Sequence, residues 1–591
     1  MGSYSDNYDF IVVGGGNSGA VVASRIANSE SHPTVLLIEA GGENKSDELY
    51  VPSDRFKSVY RHPEIRVEYK TTPQKHLGGR VLDYLRGKGL GGSSVANFMG
   101  YIRGSASDYN TWAEIVGDEA YKWGNVLQRY KEIENLSFED DNDENQWVKL
   151  DETAHSHDGP LGLELFARKQ WPLGGDLLMR ASLNFGWPLN RDQNSGDPVG
   201  VGVVTTTTYK GSRTTSSTAF LNARPSNLTI WTNAVARRII LETSPGESMP
   251  HAAGIILANG QEIRARKETI LSVGSIDTPK ILLLSGIGPE EELQALGIPC
   301  LVNSPRVGKD LIDHNYIAMR WGCSSDLSDR IAFQSNHEGV LASRKQWLQD
   351  HTGHDAVRSL GNLAGFLKLD PERYSKEELE KLEPTAQRWI NQADTPQFEV
   401  FLAGDVPSVW DKTHGEDAIG ICVMLMNPQS RGSVTLQSKD PAAMPLIDVN
   451  FLSHPYDRKT FVDATREVLR FVKSETLSKH IRSDFHTPKT DSEEDVLEFI
   501  RRDVMSVLHP VGTTRMGGPE DQTAPVDSDM CVRGVRNLRV VDLSVCPIIT
   551  RYASFELSRA YELTTQSNHT QSTAYLVGQI GWKKIAETYG L

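Results

Sequence analysis

Gly14, Gly16 and Gly19 stand at G-x-G-x-x-G spacing in the run DFIVVGGGNSGAVVASRIANSESHPTVLLIEAGG, and Glu39 follows Gly19 by twenty residues. That spacing suits dinucleotide binding. The first glycine allows a tight bend, the second lets a pyrophosphate approach the backbone, and the third lets helix pack on strand. Asn17 and Ser18 open the helix whose positive end then faces the phosphates. Glu39, at the tip of the strand VLLIE, can accept hydrogen bonds from a ribose diol, and its charge disfavours a 2'-phosphate. A second glycine-rich loop, RGKGLGGSSVANFMGYIRGSASDYN from Arg86 to Asn110, offers further backbone N–H groups. On residue types alone it suits either an ordinary surface loop or a second contact with a phosphate or a flavin edge.

The glycine turn lies between two apolar strand runs and opens a helix, which is a complete βαβ unit. At 591 residues the chain exceeds one compact core, so two or more domains are expected. Asn227 to Glu242 and Ala252 to Ser275 alternate apolar and polar residues as strands and hairpins do. In VGSIDTPKILLLSGIG, from Val273 to Gly288, a strand ends in a small-residue turn, Pro279 is expected to initiate a helix and Ser-Gly-Ile-Gly to stop it. The region from about Asn315 to Asp503 mixes helix and strand signals with scattered aromatics and reads as a separate domain. No internal repeat is present.

Composition narrows the function classes. A net charge of -15 gives an acidic surface that repels nucleic acid and anionic membranes, and no basic patch offsets it. Five cysteines lie scattered without a C-x-x-C pair, which suits a reducing compartment better than a disulfide framework. No metal-ligand cluster is read. The start MGSYSDNYDF has no room for a signal peptide, and Tyr589-Gly590-Leu591 departs from the S-K-L address, so an intracellular, cytoplasmic location is expected. No apolar run is long enough to span a membrane.

These blocks together resemble the glucose-methanol-choline oxidoreductase family of flavoenzymes. Arg86 to Arg103 looks like its first signature, and Gly274 to Pro279 through Ser285 to Gly288 like its second. Val307 to His314 resembles the crossover into the substrate domain, and His509 to Thr513, ending in Met516-Gly517, the catalytic histidine segment. The resemblance implies a Rossmann-like FAD-binding domain over residues 1–160, 225–305 and 505–591. It further implies an α+β substrate-binding domain on an antiparallel sheet over 161–224 and 306–504. FAD would be held by the N-terminal unit together with Gly91, Gly92, Ser93, Ser94 and Asn97, with Val235 at the adenine and Asp542 closing around the flavin. Ala96 stands where some members carry the histidine that attaches FAD covalently, so noncovalent FAD is expected.

The implied activity is oxidation of an alcohol CH–OH group by hydride transfer to flavin, with O2 or another electron acceptor taking the electrons onward. Hydride loss is easier once the hydroxyl proton is leaving, so a base near neutral pKa is needed, and histidine fits. His509 takes that role; on residue type alone the favoured reading is a histidine capping a turn before Pro510. His569 takes the place of the family's second histidine or asparagine, with Asn568 next in line if the alignment slips by one. Residues Ile548 to Ser567 form an insertion, read either as a surface loop or as a lid over the substrate entrance. A secondary-metabolite tailoring oxidoreductase, and a flavin-retaining lyase or photodecarboxylase on the same fold, stand as alternatives.

Overall fold

The computed structural model describes residues 7–138, 147–166, 171, 173–327, 336–357, 363–370, 372, 376–403, 417–549 and 570–591. Its first sheet grows from the N-terminal unit β1 (Asn7–Val13), α1 (Asn17–Ala27) and β2 (Val35–Ile38). Phe10 to Val13 and Val35 to Ile38 are at most 1% exposed, as continuous apolar runs must be in a parallel sheet covered on both faces. β3 (Leu228–Trp231) lies parallel to β2, and β6 (Glu262–Leu271) parallel to β1. β4 (Ala236–Glu242) and β5 (His251–Leu257) complete an antiparallel meander with β6, as the alternation in their sequences leads one to expect. β6 is long enough to serve two neighbours on one edge. Gly254 to Ile256 of β5 pair with Glu262 to Arg264, and the strand Leu538–Val540 pairs with Thr269 to Leu271.

The second sheet is antiparallel throughout. β7 (Asn315–Cys323) is central, flanked by β10 (Ala418–Leu425) and β11 (Ile481–His486), with β9 (Phe398–Ala403) and β8 (Leu363–Leu367) beyond β10. Met505–Ser506 adds a short strand to the start of β7, just ahead of His509. α3 (Pro455–Val472) lies against β9 and β10, and its buried residues include Phe461, Val462, Val468 and Phe471. The mixed α/β architecture, with a Rossmann-like first sheet and an antiparallel second one, agrees with the reading above. Among the described residues no helix is long and apolar enough to cross a membrane.

Candidate active site

Two glycine loops close on each other at the end of β1. The Gly91 N–H donates to the Gly15 carbonyl at 2.9 Å, and the Leu90 N–H to the Gly42 carbonyl at 2.9 Å. A Cβ on Gly92 would stand 2.7 Å from the Gly16 Cα, and Gly92 has φ +51°; a Cβ on Gly19 would stand 2.0 Å from the Gly14 carbonyl oxygen. Neither site can hold a side chain without the backbone moving. Glu39 does more here than its strand-tip position suggests. Its carboxylate accepts N–H groups from Gly15 at 2.8 Å, Gly41 at 2.8 Å and Gly89 at 3.0 Å, so it stitches both loops to the end of β2.

The remaining cradle residues are placed by the first signature. Ser93 to Ala96 form one helical turn behind Gly92. Ser94 Oγ donates to the Gly91 carbonyl at 2.6 Å and accepts the Ser216 N–H, while Ser93 Oγ accepts the Gly87 N–H. Asn97 Nδ2 donates to Gln571 Oε1 at 2.7 Å, and its Oδ1 accepts from the Met99 N–H and from Arg213. Arg213 also donates to the Ser94 and Asn97 carbonyls. It has no carboxylate partner among the described residues, and burial pulls its guanidinium down to about 9. Its Nη2 and the Oδ1 of Asn17 are buried without a hydrogen-bond partner. A glycine cradle whose Gly14, Gly19 and Gly92 leave no room for a Cβ, ringed by orphaned polar atoms and by a cation without a carboxylate partner among the described residues, fits the pyrophosphate and flavin of FAD.

Two residues mark the ends of this cradle. Val235 rims a concavity of about 670 Å³ together with Trp231, Asn233, Leu257 and Gln261. The N–H groups of Asn233 and Ala234 donate to the carbonyls of Gly41 and Glu39, which places this concavity beside Glu39; the Val235 carbonyl itself accepts from the Ala258 N–H. Asp542 is buried, and its Oδ2 accepts the Gly274 N–H at 2.9 Å and the Thr278 hydroxyl at 2.6 Å. It thereby anchors the N-terminus of α2 (Gly274–Leu284), where a helix end favours negative charge.

The histidine centre lies on the other side, where the second sheet begins. His509 is fully buried, and its Nδ1 is 3.1 Å from Nδ1 of His314; Nε2 of His314 is 3.1 Å from the Met426 carbonyl. A carbonyl only accepts, so in a neutral His314 the proton sits on Nε2 and Nδ1 is an acceptor. His509 must then donate from Nδ1, which leaves Nε2 of His509 as a lone pair able to take a proton. Leu508, immediately before it, has φ +62°, a strained conformation for a branched residue. Three contacts hold that strain: Arg86 donates to the Leu508 carbonyl, the Ser506 hydroxyl accepts the Leu508 N–H at 2.7 Å, and Asp313 Oδ1 accepts the His509 N–H at 2.7 Å. Asp313 Oδ2 accepts the hydroxyls of Tyr84 and Ser506. Burial pushes Asp313 up to about 6 against these donors.

Models of one family cover most of the chain. The GMC oxidoreductase models match residues 8–316 and 428–554. The chain belongs to the GMC oxidoreductase family. It is 31% identical over 599 residues to a pyranose dehydrogenase of Agaricus campestris, covering 99% of this chain and 94% of that protein. It is also 31% identical over 563 residues to an alcohol dehydrogenase [acceptor] of Pseudomonas putida, with 91% of each chain covered. An FAD-dependent oxidoreductase from Chaetomium thermophilum shares the fold with a TM-score of 0.85 at 22% identity, over 99% of this chain and 100% of that one. The protein is therefore an oxidoreductase of the FAD-dependent kind.

Within this GMC oxidoreductase the second signature works differently from the expectation drawn above. Pro279 lies inside α2, five residues past its start, and does not initiate it. A proline there cannot donate to the Ser275 carbonyl, and that carbonyl instead accepts the Thr513 hydroxyl at 2.7 Å. Ser275 Oγ donates to the Pro510 carbonyl at 2.6 Å. The signature's proline thus frees an acceptor that docks the His509 segment. The stop after Leu284 is as expected, with Gly286 at φ +82°. His314, Asp313, Tyr84 and Ser506 were not singled out for chemistry in the sequence, although the Asp-His pair leading into the fully buried strand NYIAMRWGC is a signal that could have marked the first two. Asn568, His569 and nearly all of the Ile548–Ser567 insertion lie outside the described residues.

Proposed function

We propose that this protein oxidises the CH–OH group of a small-molecule alcohol, as an oxidase or a dehydrogenase, with His509 as the base. The observation that carries the reading is the proton order along Met426, His314 and His509, which leaves Nε2 of His509 as the proton acceptor. In the reaction the alcohol O–H proton goes to His509 Nε2, the C–H bond breaks with its electron pair, and a C=O bond forms. Bound FAD supplies the hydride acceptor, and O2 or another acceptor takes the two electrons afterwards. Asp313, Ser506 and Arg86 hold the backbone at Leu508 and His509, so the position of the base is fixed in advance.

His569 is proposed as the second polar group at the reacting oxygen, with Asn568 as its alternate. Support comes from the residue two further on: Gln571 Nε2 donates to the Gly100 carbonyl at 2.7 Å and its Oε1 accepts from Asn97, so the chain re-enters beside the first signature. FAD is proposed to be held noncovalently, because the Ala96 methyl is buried in an apolar cluster with Leu49, Val59, Ile65 and Val95 and offers nothing to bond. Denaturation should release intact FAD. Anaerobic mixing with alcohols should bleach the flavin, and His509→Ala should slow that step by about 10² to 10⁴ with FAD retained. A parental rate in His509→Ala would overturn the assignment.

A further inference from the structure

The last helix begins beside the first signature. Gln571 is the first residue of α4 (Gln571–Tyr589), which packs against α1. Ser18 Oγ donates to the Ala574 carbonyl at 2.7 Å, and a Cβ on Gly578 would stand 2.8 Å from the Ser18 carbonyl oxygen, so the two helices meet through backbone. The start of α4 is thereby fixed against the helix that opens the glycine cradle. From there the Gln571 side chain reaches the turn Asn97–Gly100. Asn97, Met99, Thr207, Arg213 and Gln571 are each at most 2% exposed.

The hydrogen bonds across this turn run in one direction only. A backbone N–H and a guanidinium donate and cannot accept, so the Asn97 oxygen must face the Met99 N–H at 3.0 Å and Arg213 Nη1 at 2.9 Å. The Asn97 amide nitrogen then faces Gln571 Oε1 at 2.7 Å, and Gln571 Nε2 is left for the Gly100 carbonyl at 2.7 Å and the Thr207 hydroxyl at 3.3 Å. Thr207 closes the ring on the Met99 carbonyl, with its N–H at 2.7 Å and its hydroxyl at 3.3 Å. Met99, enclosed by these bonds, has φ +65°, a left-handed conformation that a residue with a side chain keeps only when its surroundings hold it.

We propose, resting on FAD occupying the cradle, that Gln571 is a positioning residue for the cofactor: its amide, oriented by Arg213 through Asn97, holds the strained Asn97–Gly100 turn of the first signature in the shape that FAD meets. The Gln571 oxygen faces a donor and its nitrogen faces an acceptor, so a replacement of the same shape serves only if it both accepts and donates. Glutamate separates the two requirements. In Gln571→Glu the ionised side chain sets an oxygen against the Gly100 carbonyl, and two acceptors facing each other push the turn open. The protonated form donates its O–H to that carbonyl and accepts from Asn97, as the amide does. Burial and the facing carbonyl both favour the protonated form, which brings the change into an accessible pH range.

The test uses the full chain loaded with FAD at about pH 5.5 and about pH 8, with each variant set against the parent at the same pH so that other titrating groups, Arg213 included, cancel. The Kd for FAD is measured together with the visible circular dichroism of the bound flavin, which reports the asymmetry of its surroundings. Gln571→Glu should raise the Kd about tenfold to a hundredfold and alter the flavin band at the higher pH, and return to within about threefold of the parent at the lower one. Gln571→Met fills similar space without either hydrogen bond, and should weaken FAD binding about tenfold at both pH values with no recovery. Gln571→Glu that matches the parent at the higher pH, or is equally impaired at both, would overturn this inference, as would Gln571→Met with parental affinity and a parental flavin band. A parent that binds no FAD would instead remove the reading of the cradle, and this one with it.

Discussion

The glycine cradle and the histidine centre are made of opposite materials. The cradle is backbone: Gly14 to Gly19, Gly89 to Gly92 and three N–H groups gathered by one carboxylate, Glu39. The centre is side chains: Tyr84, Arg86, Asp313, His314, Ser506 and His509, drawn from three distant stretches of chain and meeting at hydrogen-bond distance. A site of backbone fails through shape, and a site of side chains fails through chemistry. The two should therefore be separable by mutation, with cofactor content reporting one and reaction rate the other.

The two largest effects expected separate the cradle from the centre. Gly92→Ala places a Cβ 2.7 Å from the Gly16 Cα at a backbone angle of +51°. Strain of this kind costs about 1–3 kcal/mol before the clash is counted, so FAD affinity should fall by at least tenfold to a hundredfold. Protein that retains FAD after Gly92→Ala should still reduce it near the parental rate, whereas His509→Ala should show full FAD and little reduction. FAD titration and anaerobic reduction of each variant check this. Equal losses of both properties in both variants would erase the distinction between the two regions.

This contrast also explains what could be read from the sequence. A glycine required by close approach leaves its mark locally, so Gly14, Gly16, Gly19 and Glu39 declare a nucleotide site within one short run of chain. Even there the reading was incomplete, because Glu39 binds two loops whose second member, Gly89, lies fifty residues away. The histidine centre left a fainter local mark, the Asp313-His314 pair ahead of β7. His509 was found through the family's segment order, while Tyr84 and Ser506 are ordinary strand residues until the fold brings both hydroxyls to Asp313. Pro279 misled for a similar reason. Inside a helix it is unfavourable on local grounds, and its use appears only when the freed Ser275 carbonyl meets Thr513.

A smaller effect sharpens the side-chain half of the comparison. Asp313→Asn replaces one acceptor oxygen by a donor: the remaining oxygen stays on the His509 N–H, which being backbone cannot turn away, while the Tyr84 and Ser506 hydroxyls must turn to face Nδ2, and the carboxylate charge is gone. The lost charge assistance, together with the rearranged hydroxyls, is worth about 1–3 kcal/mol, so flavin reduction should slow by roughly tenfold to a hundredfold with FAD content unchanged. Because burial raises Asp313 to about 6, the parental rate should climb as pH rises through that value and the carboxylate takes hold of the N–H. In Asp313→Asn that rise should vanish. A rise of the same size in the variant would assign it to another group and leave Asp313 as scaffold.

The smallest effect tests whether pH acts on chemistry and on folding through different groups. Away from both sites, His155 is buried between two carboxylates, with Nδ1 3.1 Å from Glu134 and Nε2 3.0 Å from Asp192, while Arg103 pairs with Glu134 at 2.5 Å. A neutral imidazole donates from only one nitrogen, so facing a carboxylate with each requires the imidazolium. Burial opposes that charge, but Asp192 and Glu134 outweigh burial and the repulsion of Arg103, and the His155 pKa is raised. A histidine whose folded pKa lies above its unfolded value of about 6.5 contributes stability fully below that pH and loses it as pH rises through the folded value. Burial likewise opposes the charge of Glu134 and Asp192, yet both are lowered by their cationic neighbours. Their contribution is present above the ordinary carboxylate range and lost as pH falls below it. The cluster should therefore stabilise most between about pH 4.5 and 6.5. Melting temperatures should decline from that window toward pH 9, and His155→Gln should flatten the decline. The pH profile of flavin reduction should be the same in His155→Gln and in the parent, since the cluster touches neither His509 nor Asp313. A reduction profile that moved with His155 would mean that the proton chemistry extends beyond the centre built on Asp313, His314 and His509.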